Sequence, residues 1–378
     1  MLFAHIADAH IGAWKEEKLR KLNLDCFKQS IQTCIKRNVD FLLISGDLFN
    51  TAIPQIEYLK ETVEQLKILK DKNIRVYIIP GSHDFSPSGK TILDVLEKAE
   101  LVKNVMQYKD HQLKFTEDPT GAKITGIYGR RGGLDSEDYL MLDKPSIENE
   151  PGFKIFMFHA TLEEFKPIKE LQGLSSTLLP TNFQYYAGGH VHYIFKTDFN
   201  GGKLTYPGAL FPNNFKEVEE WQHGGLYLCD ENLNLEYIPI QLKTVLPITL
   251  NLDTLTPEQA SELIKTSLPE NTEDKILTIR IEGEIDGKPS DIDFKPINKL
   301  PSFITLRNTA KLKSKQSIQT ELKEGTVEEI EAQLMQETST EFNIPELMEL
   351  LDKEKQEGEK VKDFEQRIIS EVSKIMQL

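Results

Sequence analysis

The first twelve residues, MLFAHIADAHIG (1–12), decide the fold. Leu2 to Ala7 is an apolar run of strand length, and Asp8 and His10 stand directly after it. Runs of the same kind recur at Phe41 to Ile44, Val76 to Ile79, Ile124 to Tyr128 and Ile155 to Phe158, with the β-branched and aromatic content of buried strands. Between the early runs lie helical segments. Pro54 to Lys70 opens with a proline and spaces Ile56, Leu59, Val63, Leu66 and Leu69 by three or four residues. From Tyr185 to Ile240 the pattern becomes short strands with Gly-rich turns. The first 243 residues therefore read as an α/β domain.

The residues just past each strand carry the chemistry. The first run ends in Asp8-Ala9-His10, the second in Gly46-Asp47, the third in Gly81-Ser82-His83-Asp84, later ones in His159 and in Gly189-His190-Val191-His192. In open α/β sheets ligands bind beyond the carboxyl ends of the strands, so these groups converge on one rim. Carboxylates and imidazoles without a thiolate suit Mn²⁺, Fe or Zn²⁺, and there are too many ligands for one tetrahedral site. Two metals ~3.5–4 Å apart would clamp both oxygens of a phosphoryl displacement. Asp47, in the middle of the order, is the candidate bridge. An extended backbone would put His190 and His192 on one face, each able to reach a different metal.

This series of DxH, GD, GSHD, H and GHVH resembles the calcineurin-like metallophosphoesterase superfamily. Its HIADAHIG, SGDLF and GSHDFSPSG segments resemble one branch, the SbcD-type DNA repair nucleases, also known as the meiotic recombination nuclease. The resemblance is strong over residues 1–240 and loose after them. It implies a β-sandwich flanked by helices, a small α+β capping domain at 244–320 and a helical tail at 321–378. It also implies that Asp8, His10, Asp47 and His192 hold one Mn²⁺, and Asp47, Ser82, His159 and His190 a second, with Mg²⁺ or Fe as substitutes. His83 matches the catalytic histidine that protonates the leaving oxygen. Asp84 either orients that imidazole or caps the next turn. Two positions depart from the pattern: Ser82 replaces the usual Asn, and Asn50 replaces a histidine that steers the phosphate. A serine hydroxyl is a shorter and weaker ligand, so a millimolar Mn²⁺ requirement is expected.

By the same resemblance the chain processes DNA ends, as a 3′–5′ exonuclease on duplex and an endonuclease on single strands. It would act as a homodimer with a coiled-coil SMC-like ATPase. Asn50, Lys15, Lys90 and Arg130 are candidate DNA contacts, chosen for their closeness in sequence to the motifs. Two other readings compete: a phosphoesterase for a phosphoprotein or small phosphodiester, and a DNA-end tether with weak catalysis.

The capping domain begins after a break at Lys243 to Pro247. It has a strand at Ile248 to Leu252, a helix at Pro257 to Ser267 capped by Thr256, and strands near Ile276 to Ile281 and Phe303 to Leu306. Six basic residues between Asp293 and Glu321 (Lys295, Lys299, Arg307, Lys311, Lys313, Lys315) face no acidic one, as a solvated face or a phosphate contact. Thr326 and Glu329 form a capping box, and apolar stripes continue through Leu351 and Ile375, fit for packing at home or for the ATPase root.

The 378 residues carry 45 Lys+Arg and 60 Asp+Glu, a formal charge of −15, which argues against a general polyanion binder. The charge is uneven. Residues 321–378 hold 16 acidic and 7 basic side chains, net −9, leaving −6 for the other 320. The three cysteines form no CxxC pair, and neither a signal peptide nor a membrane span is visible, so a soluble cytoplasmic protein is expected.

Overall fold

A computed structural model describes residues 1–84, 91–129, 135–166, 172–315, 364 and 367–370. Residues 1–315 form one compact unit and 316–378 a second. Lys90, Arg130 and the expected C-terminal stripes, apart from Phe364 and Ile368, lie outside the described residues.

Two six-stranded sheets build the body of the first unit. The first runs, edge to edge, Leu235–Ile240, Gly224–Asp230, Leu2–Ile6, Phe41–Ser45, Arg75–Ile79 and Lys103–Asn104. The second runs Phe195–Phe199, Gly202–Tyr206, Tyr185–Gly189, Lys154–His159, Lys123–Gly126 and Thr116–Glu117. Strands Leu2–Ile6, Phe41–Ser45 and Arg75–Ile79 pair in parallel, as do Tyr185–Gly189, Lys154–His159 and Lys123–Gly126.

The strands read as unbroken apolar runs because both of their faces are covered. Phe3, Phe41, Leu43, Tyr77 and Ile79 meet Ile124, Ile155, Met157 and Tyr185 between the sheets. The alternate residues Ala4, Ile6, Leu42, Ile44 and Ile78 point outward and pack with Leu19, Phe27 and Ile31 of the helix Glu17–Lys36 and Leu66 and Leu69 of the helix Ile56–Asp71. The second helix starts two residues later than Pro54 would suggest, with extended Gln55 before it. Its stripe is split: Leu66 and Leu69 are buried, whereas Ile56 is 79% exposed.

A separate three-stranded parallel sheet, Val245–Asn251, Ile276–Ile285 and Ile304–Ser314, lies within the same compact unit. The helix Pro257–Ser267 packs on it through Ala260 and Ile264 and begins in a capping box between Thr256 and Gln259. Four of the six basic residues, Arg307, Lys311, Lys313 and Lys315, lie exposed on or just after its last strand. That strand is an edge, where exposed lysines also discourage further strand pairing.

Candidate metal centre

The candidate ligands stand at the carboxyl ends of the strands, as the topology requires. The loop after Ile6 and the loop after Ser45 run side by side, with the Asp8 N–H donating to the Gly46 carbonyl (3.2 Å) and the His10 N–H to the Asp47 carbonyl (2.9 Å). Asp8, His10, Asp47 and His190 have φ of 49°, 42°, 51° and 86°, in the left-handed region that costs a side-chain-bearing residue ~1–3 kcal/mol. Such strain persists where the surroundings over-determine it, and here it turns side chains inward. Gly81 is obligatory for room, because a Cβ there would collide with the Asp47 carboxylate.

Ligand atoms of Asp8, His10 and His192 lie within 4.8 Å of one another, as do those of Asp8, Asp47 and His159, and those of His10, Asp47 and His83. One carboxylate oxygen of Asp47, Oδ2, stands 3.7 Å from His10 Nε2 and 3.2 Å from His159 Nε2. The His190 ring lies against His159, centroids 5.1 Å apart. Ser82 Oγ is 3.4 Å from Asp47 Oδ2. His190 lies past the end of its strand in a left-handed turn and is exposed, so the extended two-residue spacing expected for His190 and His192 does not apply. Its N–H donates to both Asp8 oxygens at 3.0 Å.

Three of the inward histidines have their far nitrogen fixed. His159 Nδ1 donates to the Ser45 carbonyl (2.8 Å), His83 Nδ1 to the Asn50 carbonyl (2.8 Å) and His192 Nδ1 to Glu217 Oε1 (3.0 Å). A carbonyl only accepts, and a carboxylate does so when ionised, so each Nδ1 carries a proton and Nε2 faces the centre. Glu217 is the residue that sequence reading missed. It lies on the helix Phe215–Trp221, where Asn214 caps its N–H, and the Asn-x-x-Glu spacing marks the helix start but not the contact with His192.

Asp84 is fully buried and accepts from the Gly81 and Asp47 N–H groups (2.8 and 2.9 Å). It thus braces the two loops, while the Asn50 carbonyl holds the His83 ring. Asn50 is half-buried and Lys15 is exposed on the surface before the helix Glu17–Lys36.

Burial and mutual charge set the ionisation of these side chains. Burial lifts Asp8 to about 6 and, with Asp47 nearby, Asp84 to about 7. Burial would lift Asp47 too, but His159 and His10 outweigh it and hold that carboxyl well below its usual range. Burial opposes the charge on His159, yet Asp47 prevails and raises it to about 10. A divalent cation fits these residues. His159 Nε2 and His10 Nε2 both face Asp47 Oδ2, at 3.2 and 3.7 Å, and His10 Nε2 and His192 Nε2 converge at 3.2 Å, an arrangement that a shared electrophile between lone pairs would relieve.

Residues 1–193 match the calcineurin-like phosphoesterase family. Among curated proteins, the DNA double-strand break repair protein Mre11 of Archaeoglobus fulgidus is 28% identical over 238 residues, 58% of this chain and 52% of that one. Mre11 of Sulfolobus acidocaldarius is 29% identical over 75% of this chain and 76% of its own, and that of Methanocaldococcus jannaschii 30% identical over 61% and 62%. This chain thus spans about half the length of the Archaeoglobus relative. Among solved structures, a dimetal phosphatase from Danio rerio is 11% identical with a TM-score of 0.43, covering 64% of this chain and 96% of that one.

Proposed function

Since the chain belongs to the calcineurin-like phosphoesterase family and is a metal-dependent phosphodiesterase, we propose that its substrate is DNA and that it processes double-strand break ends, as the Mre11 relatives' name describes. The observation that carries this reading is the convergence of Asp8, His10, Asp47, His159 and His192 with His83 set beside them, centroid to centroid 4.9 Å from His10. When bound, a pair of divalent cations, which we assign as Mn²⁺, would supply charge neutralisation for the phosphate and an activated water.

The protein's own groups do the rest. Asp8, His10, Asp47 and His192 would hold one ion and Asp47, Ser82, His159 and His190 the other. His83, its Nδ1 committed to the Asn50 carbonyl, presents Nε2 to the centre; protonated there from solvent, it would deliver that proton to the departing 3′ oxygen. The activities we assign are 3′–5′ exonuclease on duplex and endonuclease on single strands. Ile53 and Ile56, 82% and 79% exposed, support a homodimer through the start of the helix Ile56–Asp71. The acidic segment 321–378 would engage a coiled-coil SMC-like ATPase in the cytoplasm. No helix among the described residues is long and apolar enough to cross a membrane.

The decisive experiment is digestion of end-labelled duplex at millimolar Mn²⁺ by wild type and His83→Ala. The variant is expected to bind DNA but cleave it ~10²–10⁴-fold more slowly. Wild type inert on every DNA end while turning over small phosphodiesters would refute the assignment of DNA as substrate.

A further inference from the structure

A cavity of about 880 Å³ opens directly beside the metal-ligand histidines. His190 and His192 form one wall; Tyr193, Ile194, Lys216 and Trp221 line much of the remainder. Its size falls in the ~300–1,000 Å³ range of small-ligand sites, where a few polar groups orient a ligand held by apolar and aromatic surface.

Trp221 is the feature that points to an occupant. It stands four residues after Glu217 on the helix Phe215–Trp221, so the two project from one helix face. Glu217 touches His192, which places the indole one helical turn from a metal ligand. Buried Val218 anchors that helix, so the platform is fixed rather than loose. Trp221 itself is only half-buried, and among the described residues its indole makes neither a ring contact nor a side-chain hydrogen bond. Tyr193 is already engaged, stacked on Tyr206 with centroids 6.0 Å apart, and Ile194 is 38% exposed at the mouth. A large flat apolar ring without a partner, beside a phosphodiester-cleaving centre, has the form of a stacking platform. Lys216, which also pairs with Glu220 at 3.8 Å, lies on the same lining and offers a cation to a neighbouring phosphate.

Resting on the reading that DNA is the substrate, the geometry points to a nucleobase subsite: the base of the nucleotide next to the scissile phosphate stacks on Trp221 in this cavity. The site is sequence-tolerant, because every base has a flat face, and it selects nucleotide esters over other phosphodiesters.

The test compares thymidine 3′- and 5′-(p-nitrophenyl phosphate) with the same esters of the base-free deoxyribose, using the full chain with Mn²⁺. Wild type is expected to favour at least one thymidine ester over its base-free counterpart by roughly tenfold in kcat/KM, mainly through KM. Trp221→Ala should bring that ratio close to one, and Trp221→Phe should keep most of it. The ratio is internal to each preparation, so partial misfolding of a variant cancels. An equal loss on both esters in Trp221→Ala, or a ratio that the substitution leaves unaltered, overturns the subsite. Labelled DNA measured alongside separates the two claims: uncut DNA with the ratio intact discards only the DNA reading, whereas cut DNA with no base preference discards only the subsite.

Discussion

Glu217 illustrates how one side chain can govern a metal ligand without being one. Its carboxylate accepts from His192 Nδ1 at 3.0 Å, and Asn213 N–H and Asn214 Nδ2 hold it in turn at 2.7 and 2.6 Å. Glu217→Ala should weaken Mn²⁺ binding by about 10–100-fold, the usual cost of removing a partner that orients a ligating histidine. Isothermal titration with Mn²⁺ measures it directly, and an unchanged affinity would separate His192 from the metal. Ser82 gives the opposite expectation. Its hydroxyl approaches Asp47 only at 3.4 Å, and Ser82→Asn, which adds a longer carbonyl arm, should lower the Mn²⁺ concentration for half-maximal activity about tenfold. Here the sequence was readable, because a ligand series interrupted by one odd member shows in the motif itself. Glu217 was not, since nothing in a string of residues ties position 217 to position 192.

At the scale of elements, the strand-then-ligand pattern was legible because strands covered on both faces are continuous apolar runs, and every such run stops where its loop enters the rim. The role of the helix Phe215–Trp221 was hidden, because its partners come from far along the chain. Arg280, on the strand Ile276–Ile285, forms a two-pronged pair with Glu219 of that helix (2.5–3.1 Å) and stacks over Phe215 at 5.2 Å. The three-stranded sheet is thereby tied to the same seven-residue helix that carries Glu217. Arg280→Met keeps the aliphatic cover and removes the pair. We expect it to lower stability to urea by about 1 kcal/mol, at the upper end for a partly exposed ion pair, and to raise the Mn²⁺ requirement several-fold. A variant with the stability loss but an unmoved metal requirement would show that Glu217 keeps its place without the strand.

At the scale of the whole molecule, the sandwich is closed by a polar knot as well as by apolar packing. His5, fully buried on the inner face of the first sheet, lies 3.1 Å from both Tyr185 Oη and Thr205 Oγ1 of the second, and its Nε2 is 2.9 Å from Ser45 Oγ, which donates to the Ala187 carbonyl at 3.0 Å. His5 sits in the motif that opens the chain, yet only the alternation of inner and outer faces distinguishes it from a ligand. Burial lowers its pKa from 6.5 to about 3. Below pH 6.5 the unfolded chain takes up a proton that the folded chain refuses, so this contribution is complete above pH 6.5 and declines as pH falls toward 3. Its slope approaches about 1.4 kcal/mol per pH unit. His5→Gln retains polar atoms at the site but cannot titrate, and should cost about 1–3 kcal/mol near pH 7.5 through imperfect hydrogen bonding. With chelator present, so that the ligand groups titrate alike in both proteins, urea melts from about pH 7.5 down to about 4.5 should show the gap between wild type and variant closing below pH 6.5 and then reversing. A gap that stays constant would mean that His5 titrates alike in the folded and unfolded chain, and one that widens as pH falls toward 6.5 would mean that His5 is held protonated and joins the two sheets by a charge.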